Sequence, residues 1–209
     1  MTEDLVLYTN PMSRGRIARW MLEEVGVPYR REVLAFGGSM KGDSYRRMNP
    51  MGKVPVLVHS GKVITECAAI CAYLADAFPE AGLAPPPAER ADYYRWLFFA
   101  AGPLEAAVTN RALGVEVPPD KRGMVGYGSY REVLDALEAA LTDRTFIAND
   151  AFTAADVYLG SHLMWGLQFG SIEARPAFET YITGLAQRPA HLRSSELDDA
   201  DMQQMQATA

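Results

Sequence analysis

The sequence predicts an α/β unit over residues 1–79, a proline-rich linker over 80–87 and an all-α domain over 88–209. Three observations carry this. Strand-like and helix-like runs alternate as β-α-β-(α)-β-β-α up to Pro79, the order of a small α/β sandwich. Pro79 and then Pro85-Pro86-Pro87 stiffen the chain immediately afterwards. Beyond them only helical patterns occur, over about 88–112, 121–142, 154–167 and 175–187.

Taken in order, Leu5-Val6-Leu7-Tyr8-Thr9 reads as a short buried strand. Asn10-Pro11-Met12-Ser13 is a turn, and Ser13 is placed to cap a helix that runs to about Val25 and is closed by Gly26. Ile17, Met21 and Val25 recur at four-residue spacing and form its core face. Tyr29 to Leu34 is a second strand, parallel to the first because a helix separates them. Phe36 to Gly42 is a Gly-rich loop, and Asp43 to Met48 a short helix. Val54 to Val58 and Lys62 to Ile64 pair as a hairpin around Ser60-Gly61, and Glu66 to Phe78 closes the unit as a helix. In the second domain, Thr153 stands at an N-cap with Asp156 three residues on and Phe152 and Val157 at the staple positions, a variant capping box. The polar, acidic tail after Ser194 is expected to be loosely held.

Apolar residues make up 49% and charged residues 22%, as in an ordinary globular protein. No apolar run nears the ~18 residues of a membrane span. The start Met1-Thr2-Glu3-Asp4 is unlike a secretory signal, so no membrane partner is expected and a cytoplasmic location fits. Cys67 and Cys71, four apart on a predicted helix, make a poor disulfide and read as two buried small apolar residues. The net charge of −6 argues against a nucleic-acid partner. It is unevenly spread: residues 1–80 sum to +1 (10 basic, 9 acidic) and residues 81–209 to −7 (10 basic, 17 acidic), so an anionic ligand is better received by the first part. His59, His162 and His191 are isolated, without metal-ligand spacing, and no metal is expected. No Cys-x-x-Cys follows the first strand, and neither a phosphate loop nor a nucleophile elbow occurs.

The most informative stretch is Asn49-Pro50-Met51-Gly52-Lys53-Val54-Pro55-Val56-Leu57, followed by the Ser60-Gly61 turn and Thr65-Glu66-Cys67-Ala68-Ala69-Ile70. A proline at a strand start removes a ladder donor, so the strand lies at a sheet edge or its backbone serves something else. The helix N-terminus after Thr65 presents unpaired N–H groups suited to a carboxylate. Together they describe a site for a small anionic peptide. The segment resembles the glutathione-binding half of the glutathione transferase family, whose pattern is Asn-Pro-x-Gly-x-Val-Pro-x-Leu followed by a Glu-Ser-x-x-Ile helix start. The first motif matches at every defining position; in the second, Cys67 stands where the family usually has Ser. The Thr153–Asp156 box resembles the one that serves folding in the family's sixth helix, which keeps Asp156 out of the active site. Arg188-Pro189-Ala190 resembles the family's closing Arg-Pro-Ala, so the likeness runs from residue 5 to about 193.

The resemblance implies a thioredoxin-like first domain, an all-helical second domain with a hydrophobic pocket, a homodimer, and glutathione as co-substrate with no metal. Pro11-Met12-Ser13 is similar to the Pro-Met-Ser-Thr of the serine-using phi class, in which the Ser hydroxyl contacts the thiolate; Arg14 replaces the Thr here. Ser13 is therefore the expected catalytic donor. Asn10 and Thr9 are alternatives, because some bacterial members use an Asn or Thr of this turn, and Tyr8 lies where other classes carry a catalytic Tyr. X-Pro bonds are cis only ~5–6% of the time, so the residues alone say trans, while the family match implies a cis Val54-Pro55. By the same resemblance Val54 pairs through its main chain with the cysteinyl unit, Glu66 and the Cys67 N–H hold the γ-glutamyl end, and Lys41 and Lys53 are candidates for the glycyl carboxylate. Met40 replaces a His frequent in the phi class. Met12, Met40, Trp96, Phe99, Trp165 and Phe169 are candidates for the electrophile pocket, although Met and aromatic residues at helical spacing also build cores.

The expected function is a glutathione S-transferase of detoxification type, activating the thiol for attack on a small hydrophobic electrophile. A glutathione-dependent disulfide or peroxide reductase and a non-catalytic binding module of the same fold are the alternatives.

Overall fold

The computed structural model describes residues 4–148 and 150–207. The Met1-Thr2-Glu3 part of the acidic start lies outside them. The chain divides into two compact units, one running to Leu83 and resuming at Gln187, the other spanning Ala84–Ala186.

The first unit is built on a four-stranded sheet in the order β2-β1-β3-β4, with β1 Leu5–Thr9, β2 Arg30–Val33, β3 Val56–His59 and β4 Lys62–Ile64. β1 and β2 are parallel, as the intervening helix α1 (Gly15–Val25) requires, and β1 pairs antiparallel with β3 through Leu7↔Leu57 and Tyr8↔Val56. The β3–β4 hairpin turns at Ser60 (φ 49°) and Gly61 (φ 77°), the two positive φ values of a type I′ turn. β3 is interior, so the edge-strand explanation of Val54-Pro55 does not hold: the ladder begins at Val56, and the proline precedes it where no donor is needed. Helix α3 (Cys67–Ala77) packs on α1 and β3. Helix α2 (Asp43–Met48) contributes Tyr45 to a separate cluster with Met40 and Val56, joined by Tyr8 and Val58.

α1 buries far more than the expected stripe. Ile17 and Met21 are buried and Val25 half-buried, but Ala18, Arg19, Trp20 and Leu22 are buried too. The reason is the last helix, α9 (Pro189–Ala207), which lies along α1. The tail expected to be loosely held is therefore helical and docked, and it packs with the first unit although the sequence groups it with residues 88–209. Charge rather than apolar periodicity fixes it. Arg19, fully buried, places its guanidinium 2.5 Å from Asp201 and 3.1 Å from Asp198; Arg31 reaches Asp201 and Arg16 reaches Asp199. Arg188 and Arg193 clasp Glu24 and Glu23 of α1.

In the second unit, the expected helix over 88–112 is α4 (Ala91–Phe99), a π-helical turn at Ala100–Leu104 and α5 (Glu105–Ala112). Pro103 sits inside the wide turn, which absorbs its missing donor. The expected helix over 121–142 starts later, as α6 (Tyr130–Leu141): Ser129 caps it by accepting from the Glu132 N–H, and the glycines at 123, 126 and 128 precede it. Helices α7 (Ala154–Gln168) and α8 (Pro176–Ala186) complete the bundle. The capping box at α7 is formed: Asp156, fully buried, accepts from the N–H groups of Ile147 and Thr153 and from the hydroxyls of Thr153 and Tyr181. No helix among the described residues is long and apolar enough to cross a membrane.

Candidate active site

The turn after β1 and the loop before β3 lie at one end of the sheet, because Tyr8, near the end of β1, pairs with Val56 at the start of β3. Ser13 and Asn10 shape the first. The Asn10 side chain donates to the Leu34 carbonyl (2.7 Å) and accepts from the Met12 N–H (2.8 Å), which uses both of its ends internally. Asn10 and Thr9 are fully buried, and the Thr9 hydroxyl faces the spot a Cβ on Gly15 would occupy. Ser13 is half-buried; its Oγ accepts from the Gly15 N–H (3.0 Å) and donates to the Asn10 carbonyl (2.7 Å). It thus supports the entry to α1 as expected, although Arg14 occupies the N-cap position proper. Tyr8 is half-buried against the edge of Tyr45, whose hydroxyl burial pushes up to about 12.

The loop before β3 is braced from inside. Asn49, nearly buried, accepts from the Met51 N–H (3.1 Å) and donates to the Lys53 carbonyl (2.9 Å), which also receives the Tyr45 hydroxyl (2.8 Å). Gly52 has φ +58°, and a Cβ there would stand 3.0 Å from the Met40 carbonyl, so the glycine of the motif is required by its backbone. Lys41 Nζ donates to the Gly52 carbonyl (2.6 Å), while Lys53 points to solvent. The Val54-Pro55 bond is cis, as the resemblance implies.

The third piece is the start of α3. Glu66 is exposed and adopts φ 64°, ψ 118°, a backbone rarely taken by a residue with a side chain. Cys67, directly after it, is buried and donates its Sγ–H to the Arg14 carbonyl (3.4 Å). That contact ties the N-terminus of α3 to the turn carrying Ser13. The Cys71 thiol is held above its ordinary range by its contact with Cys67 and by burial; both cysteines are free.

Of the six electrophile-pocket candidates, Met40 and Trp96 are buried: Met40 in the cluster with Tyr45, Trp96 under Arg95 and edge-on to Phe99. Met12 (59% exposed) and Phe169 (75%) are open, and Phe99 and Trp165 are half-buried. His59 stacks on Phe78 and shares a hydrogen bond with the Tyr73 hydroxyl, and no metal-holding group occurs among the described residues. The bracing by Tyr45 and the backbone of Glu66 escaped the sequence reading; a buried tyrosine and a left-handed φ leave no pattern there.

A braced loop offering backbone, a helix N-terminus behind an acid and a half-buried hydroxyl are thus present on an α/β scaffold, the parts that suit a small peptide-like anion. The comparisons give that class its family. A model of the glutathione S-transferase N-terminal domain matches residues 12–77, and one of the C-terminal domain matches residues 105–165. Glutathione S-transferase GST-4.5 of Xanthomonas campestris pv. campestris is 30% identical over 82% of this chain and 89% of its own length, and glutathione S-transferase 3 of Zea mays 30% identical over 89% and 90%. The crystal structure of a glutathione transferase from Methylococcus capsulatus has a TM-score of 0.77 at 28% identity, covering 94% of this chain and 99% of that one. A sphingomonad glutathione S-transferase complexed with glutathione scores 0.75 at 28% identity, covering 93% and 98%. The chain belongs to the glutathione S-transferase family.

Proposed function

We propose that this protein activates the thiol of glutathione for conjugation to a small hydrophobic electrophile, with Ser13 as the thiolate's hydrogen-bond donor, in the manner of the phi-like classes. The observation that carries the reading is the Cys67–Arg14 contact, which sets the α3 N-terminus beside the Ser13 turn. In this reading Glu66 takes the γ-glutamyl ammonium and the Cys67 N–H its carboxylate. The Val54 main chain, outside the ladder, pairs with the cysteinyl unit, and Lys53, assisted by Lys41, faces the glycyl carboxylate.

A free thiol titrates near ~8.5, and lowering it by about 2 units takes about 2.7 kcal/mol of preferential thiolate stabilisation. The single Ser13 proton now goes to the Asn10 carbonyl; a thiolate competes for it successfully because bonds to charged acceptors are the stronger ones. Asn10 and Thr9 are the weaker candidates: both are fully buried, and the Asn10 side chain is also spent on the Leu34 carbonyl and the Met12 N–H. Met12, exposed next to Ser13, is placed to touch the electrophile.

The test is Ser13→Ala. We expect the pKa of bound glutathione to rise and turnover with an aryl halide to fall about 10- to 150-fold, the equivalent of one charge-assisted bond, with glutathione affinity changed only a few-fold. Wild-type rate and thiol pKa in Ser13→Ala, with both lost in Asn10→Ala or Thr9→Ala, would transfer the role to the turn's other residues. Faster turnover of a model disulfide than of any aryl halide would favour the reductase chemistry. We further propose a cytoplasmic homodimer. Phe98 (71% exposed) and Tyr94 (41%) leave an apolar strip on α4 that the second unit does not bury. Sedimentation at micromolar concentration is expected to give twice the chain mass, and a monomer would remove that proposal.

A further inference from the structure

The groups that face the γ-glutamyl-cysteinyl-glycine chain differ in how firmly they are held. At the γ-glutamyl end the carboxylate meets main chain: Cys67 is buried, and its N–H belongs to the N-terminus of α3. At the cysteinyl unit, Val54 is half-buried between the doubly bonded Lys53 carbonyl and the buried Pro55. These main-chain groups are fixed without ordering a long side chain. The glycyl end is faced by Lys41 and Lys53, and both are exposed.

Lys41 also has a task inside the protein. Its ammonium donates to the Gly52 carbonyl (2.6 Å), and its stem lies across Gly52, where a Cβ would stand 3.2 Å from the lysine Cδ. It braces the motif loop from outside as Asn49 and Tyr45 do from inside. Lys53 has neither an ion pair nor a side-chain hydrogen bond among the described residues, so its ammonium is free to move. The surroundings of the two lysines are open: their neighbours Gly42, Pro50 and Met51 are exposed, Met51 by 65%. We propose that the site selects its thiol by the γ-glutamyl-cysteinyl part and not by the third residue. γ-Glutamylcysteine, and forms of it extended or esterified at the C-terminus, then serve as co-substrates beside glutathione. The inference rests on the reading of the site given under Proposed function.

Magnitudes decide between the two ends. An exposed lysine–carboxylate pair contributes a factor of about 1.5 to 5, because water screens it and ordering the side chain offsets part of the attraction. Two such pairs bound the glycyl carboxylate's contribution at about 25-fold. Fixed main-chain groups discriminate far more, since a ligand without their partner leaves them unpaired; sites built this way reject analogues by about 10⁴-fold. A third residue larger than glycine extends into water rather than into protein. The reaction is the same for each thiol. The sulfur–carbon bond forms, the carbon–halogen bond of the aryl halide breaks, halide leaves with the electron pair, and the thiol proton passes to water.

The experiment compares kcat/KM with 1-chloro-2,4-dinitrobenzene for glutathione, its glycyl ethyl ester, γ-glutamylcysteine and cysteinylglycine. Each value is divided by the uncatalysed rate, which removes differences in thiol reactivity. We expect the ester and γ-glutamylcysteine to lie within about 25-fold of glutathione. Cysteinylglycine, which keeps the glycyl carboxylate and lacks the γ-glutamyl group, is expected at least about 100-fold lower. Lys53→Met is expected to shrink the remaining preference for glutathione over its ester. Lys41→Met is expected to lower both by the same factor, because it acts through Gly52. The proposal is overturned if γ-glutamylcysteine falls more than about 25-fold below glutathione, if cysteinylglycine matches γ-glutamylcysteine, or if Lys41→Met impairs glutathione and spares the ester. In those cases turnover of glutathione leaves the conjugation reading standing, whereas failure of glutathione itself removes both.

Discussion

Asn49 shows how much of the candidate site rests on residues that touch no ligand. Its side chain bridges the Met51 N–H and the Lys53 carbonyl, and the loop it closes ends at Val54-Pro55. Replacement by Ala leaves the Met51 N–H without its side-chain acceptor and returns the Lys53 carbonyl to Tyr45 alone, two lost bonds that together cost about 1–3 kcal/mol. The expected result for Asn49→Ala is a lower unfolding midpoint together with a loss of glutathione affinity larger than that of Ser13→Ala. An Asn49→Ala protein with wild-type affinity would show that the brace does not position the loop. At this scale the sequence is legible where chemistry and chain geometry coincide. The Asn-Pro-x-Gly-x-Val-Pro run marks its own turn, and position 52 takes glycine because its φ is positive and a Cβ there would crowd the Met40 carbonyl. Cys67 is legible only as a departure; that its thiol turns toward the Arg14 carbonyl depends on a contact 53 residues away.

At the scale of elements, the strands and helices of the first unit follow from local pattern, whereas α9 does not. Its residues carry no apolar period, so they read as solvated, yet Asp198 and Asp201 are buried against arginines some 180 residues earlier in the chain. Such pairing leaves no local trace. The two carboxylates respond to pH in opposite directions. Burial raises Asp201, but hydrogen bonds from Arg31 and Arg19 outweigh it and bring the group below its usual value. Asp198 lies beside Arg19 without a well-directed bond, and burial pushes it up to about 7 against the attraction of Arg19 and Arg16. The folded protein therefore keeps the Asp198 proton between about pH 4 and 7, where the unfolded chain has released it. The contribution of Asp198 is complete below that window and is lost as pH rises through it, while that of Asp201 is present above the usual carboxylate range and lost in acid. In Asp198→Asn the first effect is removed. Measured by urea unfolding, the wild type is expected to lose stability relative to the variant from pH 4 to 7, by on the order of 2–4 kcal/mol, with no further change above pH 8. A constant difference across that range would show that Asp198 is charged throughout.

For the whole molecule, the two ends of the chain belong to one unit, and the 84–186 helices form the other between them. The proline run that follows Leu83 lies where the chain passes from one unit to the other, whereas Arg188-Pro189, at the return to the first unit, reads in the sequence as the close of a helical domain. This connectivity has a consequence for truncation. α9 covers one side of α1, where Trp20 is buried with His191 edge-on to it at 4.7 Å and Leu22 is fully buried. Deleting residues 187–209 uncovers that face and breaks the ion pairs of Arg19, Arg31, Arg188 and Arg193 at once. Each large apolar side chain returned to water costs about 1.5–3 kcal/mol, so the sum approaches the ~5–15 kcal/mol that a folded domain has in total. The loss falls on the sheet-bearing unit, while the capping box of α7 and its Asp156 network lie entirely within 84–186 and are untouched. The expected outcome for the 1–186 chain is therefore selective: glutathione retention disappears and amide exchange across β1 and α1 becomes fast, while the amides of α7 remain protected. Uniform loss of protection in both units would mean that they unfold as one, and retained glutathione binding would mean that α9 is dispensable to the fold of the first.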